Sequence, residues 1–194
     1  FKYLTRVYCA FTGYLNGKPS AEKVSLKNAF VNGGFKYESH KKKIADFLGD
    51  SANGFKIHNC LYCDIEDVSS FTKVNGIKVR KFDTEHVLDK GECPLVGMSL
   101  YNFVPSCRTC NGADIKGTKT IGDTEIEIAR LSPTAEGYDF TNKVKFEVKI
   151  LTPGIEDLKA TSYVDDYEID FYVREALYQK SINLFELKPR YNHR

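Results

Sequence analysis

Apolar positions along this chain change period as it proceeds. Residues 20–32, SAEKVSLKNAFVN, predict an amphipathic helix begun by Ser20 and ended near Gly33. Residues 36–48, KYESHKKKIADFL, predict a second helix that buries Tyr37, Ile44, Phe47 and Leu48. His40 lies in its lysine run and reads as exposed and inert. The pattern then shortens to alternation. NGFKIHNC (53–60) predicts a short strand, and VSSFTKVNGIKVRKF (68–82) a hairpin whose Asn75-Gly76 pair suits a tight turn. IKVRKFDTEHV (77–87) predicts one strand running directly into His86. EIEIARL (125–131), KVKFEVKI (143–150) and SYVDDYEIDFYV (162–173) alternate and predict three further strands, with a loop at LSPTAEGYDFTN (131–142). A helix from Arg174 to Leu187 closes the chain.

The expected class is therefore α+β, with a helical segment at 1–54, a central core at 55–120 and a β-rich flank with a terminal helix at 121–194, packed as one domain. A length of 194 residues and a hydrophobic fraction of 42% can bury a core without disulfide help. No apolar run approaches a membrane span and no signal-peptide pattern opens the chain, so the expected setting is cytoplasmic. The chain begins at Phe1 and reads as a piece of a longer protein. Net charge is only +2, so global charge does not point to nucleic acid. Local charge points further that way: Lys73, Lys78, Arg80 and Lys81 cluster in one segment, and Arg108, Lys116 and Lys119 in another. Lys78, Arg80, Arg108 and Lys116 are the candidates for phosphate contact, against the ordinary reading of a solvated face.

Six cysteines change the picture. Cys60 and Cys63 form one C-x-x-C pair, Cys107 and Cys110 another. Without a secretion signal this spacing favours a metal over a disulfide or redox role. Two such knuckles complete a tetrahedral sulfur site suited to structural zinc. His58 could replace a cysteine as ligand, though four are at hand. Cys9 and Cys93 stand outside the pairs and read as small buried hydrophobes.

Candidate chemistry concentrates in FDTEHVLDKGECPLVGMSLYNFVPSCRTCNG (82–112). Four thiolates leave a zinc no open position, so such a zinc is a staple. The carboxylate of Glu85 and the amide oxygen of Asn111 are hard ligands, suited to magnesium or manganese. His86, neutral near pH 7, could take a proton from water attacking a phosphodiester. Asn102 could orient the imidazole or hold the loop, and Lys116 could pair with phosphate. One geometric tension stands against this. Neighbours in a strand face opposite ways, so Glu85 and His86 share a site only if the strand breaks. Asp83 shares the face of Glu85 and is the alternative ligand.

DTEHVLDK and LYNFVPSCRTCNGADIKG together resemble the HNH nuclease family, whose site is a ββα-metal finger. The resemblance covers about residues 57 to 119, with His86, Asn102 and Asn111 at the three motif positions, Glu85 before the first, and the C-x-x-C pairs as in many members. It implies a one-metal endonuclease acting on duplex DNA, with a bacterial restriction or phage-defence setting. His86 would be the general base, Glu85 and Asn111 the ligands of Mg²⁺ or Mn²⁺, Asn102 the structural residue, and Cys60, Cys63, Cys107 and Cys110 the zinc ligands. A regulatory partner or further domain would fit, and a homodimer would make paired cuts natural. The pattern departs from the commonest form in having Asn111 in place of a third histidine and Glu85 in place of aspartate, which keeps Asp83 open as ligand. The alternative is a zinc-stabilised module that binds nucleic acid or protein without catalysis.

Overall fold

A computed structural model describes residues 1–152 and 166–193. The chain is a mixed α+β protein of small two-stranded antiparallel sheets and short helices. It divides into two compact units, Phe1–Tyr138 and Asp139–Arg194. Among the described residues no helix is long and apolar enough to cross a membrane.

The first unit opens with α1 (Lys2–Leu15), an element the apolar pattern leaves unassigned. Its buried positions Thr5, Tyr8 and Leu15 fall at helical spacing along one stripe. α2 (Ser20–Asn32) starts where expected, but Pro19 occupies the N-cap and no residue of the helix is fully buried. α3 (Lys41–Leu48) buries Ile44 and Leu48 against Phe103, with Tyr37, Phe82 and Met98 packed at the margin. Phe47, expected in that core, is 39% exposed instead. It meets Phe55 edge to face at 5.7 Å.

The predicted strand at 53–60 reduces to one isolated bridge, Asn59 to Asp67. β1 (Ser70–Thr72) and β2 (Lys78–Arg80) form the expected hairpin. Its turn is closed by Gly76 at φ +80° and by the Asn75 side chain accepting from Ile77 N at 3.2 Å. The single strand expected over 77–87 is two. It ends at Arg80 and resumes as β3 (Asp83–His86), which pairs antiparallel with β4 (Phe103–Ser106) and leaves the β1–β2 sheet behind. β4 runs straight into α4 (Arg108–Asn111).

EIEIARL is a helix, α5 (Glu125–Leu131), and not a strand. A capping box decides it: Glu127 N donates to the Thr124 hydroxyl at 3.2 Å and Thr124 N donates to the Glu127 carboxylate at 3.3 Å. The alternation misleads because only Ile128 and Leu131 are buried, while Ile126 is exposed.

In the second unit α6 (Phe140–Lys143) leads into β5 (Val144–Ile150), paired in full register with β6 (Tyr167–Val173). The predicted strand at 162–173 is seen over its second half, and its positions 162–165 lie outside the described residues. The single terminal helix is broken. α7 (Gln179–Leu184) stops, Glu186 turns at φ +49°, and α8 (Leu187–Asn192) follows. Asn192 then bonds both backbone groups of Ile169, at 2.7 and 2.8 Å.

Candidate functional site

The four paired cysteines converge. Cys60, Cys63, Cys107 and Cys110 are all buried, and their sulfurs lie within 4.8 Å of one another. Cys63 and Cys107 Sγ are 3.9 Å apart, close to the ~3.8 Å edge of a tetrahedron with metal–sulfur bonds of ~2.3 Å. Backbone N–H groups aim at the sulfurs: Cys107 N donates to Cys60 Sγ and Cys110 N to Cys107 Sγ, each at 3.3 Å. Sulfur-to-sulfur hydrogen bonding divides the four thiols. It holds Cys63 well below its ordinary range and Cys107 down to about 6, led by Cys107 and Cys110 respectively, and pushes Cys60 and Cys110 up, led in both by Cys107. The set can hold one metal ion and leaves it no open position. His58 is exposed and outside the cluster, as is His40. Cys93 is fully buried and Cys9 partly so.

The cluster fixes the next segment of the chain. Cys107 is the N-cap of α4, so Asn111 is the helix's last residue and not its cap. Its amide Nδ2 donates to Asp83 Oδ2 at 3.3 Å, joining the helix end to the start of β3. The chain then turns back through Gly117, whose N–H donates to Gly112 O at 2.9 Å at φ +46°. A side chain at Gly117 would press on Ala113 at 3.1 Å, so glycine suits the turn.

That turn drives Lys116 inward. Its side chain is 1% exposed, and its ammonium donates to Glu85 Oε1 at 2.5 Å and to His86 O at 2.9 Å. Lys116, expected at phosphate, is therefore a buried counter-ion. Burial pushes the Glu85 carboxyl up, and the Lys116 charge opposes that rise. Nothing in the local pattern marks this lysine as internal.

β3 is regular, so its side chains separate as the alternation rule requires. Asp83 and Glu85 share one face with their cross-strand partners Ser106 and Val104. His86 lies on the other, opposite Phe103. Its ring sits edge to face between Tyr37 at 4.5 Å and Phe103 at 4.9 Å. Nε2 donates to Gly97 O at 3.1 Å, which leaves Nδ1 as the basic nitrogen. Burial lowers the imidazole pKa to about 4, with Lys90 adding to the fall. Lys90 itself rests over the Tyr37 ring at 5.0 Å.

Asn102 is wholly buried, and its side-chain hydrogen bonds go to Leu88 and Val96 and not to the imidazole. Its Oδ1 accepts from Leu88 N at 2.8 Å, and its Nδ2 donates to Leu88 O at 3.0 Å and Val96 O at 3.1 Å. Val87 N donates to its carbonyl at 3.0 Å. Asn102 thus ties together the loop that joins β3 to β4.

The cations expected at the surface are mostly paired. Arg80 bonds Asp46 at 2.5 Å, Lys78 faces Asp50 at 3.8 Å, and Lys81 pairs with Asp67. Arg108 stands exposed on α4. Comparison with protein-family models, curated proteins and solved structures found no match to this chain.

Proposed function

We propose that the chain is an HNH-type endonuclease that hydrolyses DNA phosphodiester bonds with one divalent cation and His86 as base. The observation that carries this is the Asn111–Asp83 contact at 3.3 Å, which closes a strand–loop–strand–helix path over the motif residues. In this reading the four cysteines hold a structural zinc, and the path is a ββα-metal finger. Asp83 and Asn111 offer the hard oxygen donors that Mg²⁺ or Mn²⁺ takes while keeping several waters. The bound cation would supply Lewis-acid stabilisation of the phosphate. Glu85, already paired with Lys116, contributes negative potential and rigidity to the same face. His86, on the opposite face of β3 from Asp83, would reach the attacking water through Nδ1, its tautomer set by the bond to Gly97 O. Arg108 meets the DNA backbone beside the site.

A second reading has its own support. The imidazole is caged by Tyr37 and Phe103, on the face opposite Asp83, and Glu85 is committed to Lys116. Those are the marks of a satisfied structural histidine and ion pair, as in a zinc-stapled module that binds without cutting.

Plasmid nicking with added Mg²⁺ or Mn²⁺, against the same protein without either, separates them. Under the nuclease reading Asp83→Asn and Asn111→Ala lose metal-dependent nicking while zinc content holds. Absence of nicking by folded, zinc-loaded wild type would favour the binding module. Loss of nicking in Glu85→Gln with Asp83→Asn active would transfer the ligand role to Glu85.

A further inference from the structure

A groove of about 330 Å³ lies in the first unit, between the end of α3, the segment at 55–58 and the β1–β2 hairpin. None of the motif residues Asp83, Glu85, His86, Asn102 or Asn111 lines it. Its size is at the lower end of the roughly 300–1,000 Å³ of ligand pockets. Two features of its walls are unusual. Phe55 and Phe71 both line it, and both rings are strongly exposed, at 41% and 45%. Phe55 meets Phe47 edge to face at 5.7 Å, yet a large part of the Phe55 and Phe71 rings stays in water along one groove. The second feature is charge. Lys56 and Lys78 line the same groove with Asp50, the single carboxylate in the wall, which lies 3.8 Å from Lys78; Lys81, paired with Asp67, sits over the Phe71 ring at 5.8 Å. Ser70 Oγ is buried in that wall with no hydrogen-bond partner.

Exposed flat rings interleaved with lysines are the chemistry by which proteins hold unpaired nucleic acid. Bases stack on the rings with little regard to sequence, and the ammonium groups follow the phosphates. We propose that this groove binds a single-stranded segment of nucleic acid, stacking bases on Phe55 and Phe71 and its backbone against Lys56 and Lys78. A duplex keeps its bases stacked on each other and away from such rings. The inference deepens the nuclease reading by naming an unpaired strand beside the cut, yet it also stands for a binding module, because it uses no reacting residue.

The test is fluorescence anisotropy of a labelled twelve-nucleotide oligothymidine with the full zinc-loaded chain, without added Mg²⁺ or Mn²⁺. Phe55→Ala and Phe71→Ala should each weaken binding by about tenfold, with melting temperature and zinc content unchanged. Lys56→Gln should lower the slope of log K against log salt by about 0.7. Either ring variant binding like wild type would overturn the proposal, as would no binding of the oligonucleotide at all. Preferential capture of blunt duplex or of an acidic peptide, insensitive to these variants, would overturn it too. Plasmid nicking is scored separately. Lost oligonucleotide binding in Phe71→Ala with no nicking by wild type keeps the groove and sinks the nuclease, and the reverse result does the opposite.

Discussion

The cysteine cluster and the end of β3 draw on neighbouring stretches of chain, yet they are held in different ways. At the cluster, four residues of one chemical type meet within 4.8 Å, and backbone donors back their sulfurs. Each cysteine has the same task in the cluster, and the paired spacing points to it. At β3, four polar residues are distributed over two faces of one strand. Asp83 turns to Asn111, Glu85 to Lys116, and His86 to an aromatic cage. There the task of each residue is set by a partner distant in sequence. A staple can be read from a motif, while the chemistry beside it depends on what the fold packs against the motif.

The largest expected effect tests the staple. Cys107→Ser, or zinc withdrawal by a chelator, should unfold the first unit, since structural zinc sites contribute roughly 10–16 kcal/mol in apparent terms. Circular dichroism with zinc quantitation reads this. A folded, cooperatively melting Cys107→Ser protein would reduce the cluster to an ornament of the fold.

Next comes the loop that joins the two regions. Asn102→Ala leaves the Leu88 peptide and the Val96 carbonyl without their partners in a buried setting. The expected loss is about 3 kcal/mol in denaturant unfolding, because each orphaned buried group costs about 1–3 kcal/mol. A loss under about 1 kcal/mol would mean that the loop is held elsewhere.

The histidine gives a pH signature. Its folded pKa of about 4 lies below the ordinary value of 6.5, so the unfolded chain binds more protons between those limits. Stability from His86 is therefore complete above about 6.5 and is lost as pH falls toward about 4, by on the order of 3 kcal/mol. Subtracting the profile of His86→Gln isolates that slope from protonation of the cysteines. Equal slopes in both proteins would show that the imidazole is not caged in solution.

The smallest effect belongs to the surface. Arg6 and Glu125 are both well exposed and meet at 3.0 Å. Glu125→Ala should change stability by no more than about 0.5 kcal/mol and leave zinc content and nicking as they were.

The sequence shows much of the scaffold. The four cysteines, the Asn75-Gly76 hairpin, the β5 strand and the second part of the helix expected over 36–48 follow from spacing and period, while α2 forms where expected without burying the apolar face its pattern foretold. α5 is open to a better reading, since Thr124 and Glu127 spell a capping box that outweighs two isoleucines in alternation. The alternation rule also foretells that Glu85 and His86 part. It does not foretell their cover. Lys116 is internal because Gly117 folds the chain back, and Tyr37 reaches His86 from a segment remote in sequence. Such contacts are products of packing, and no local pattern encodes them.

The most direct test is His86→Ala in plasmid nicking with Mg²⁺ or Mn²⁺, using the full chain with zinc content and melting matched to wild type. The nuclease account predicts metal-dependent nicking by wild type and its loss in the variant. Nicking that survives the substitution would remove His86 from the reaction and contradict the account.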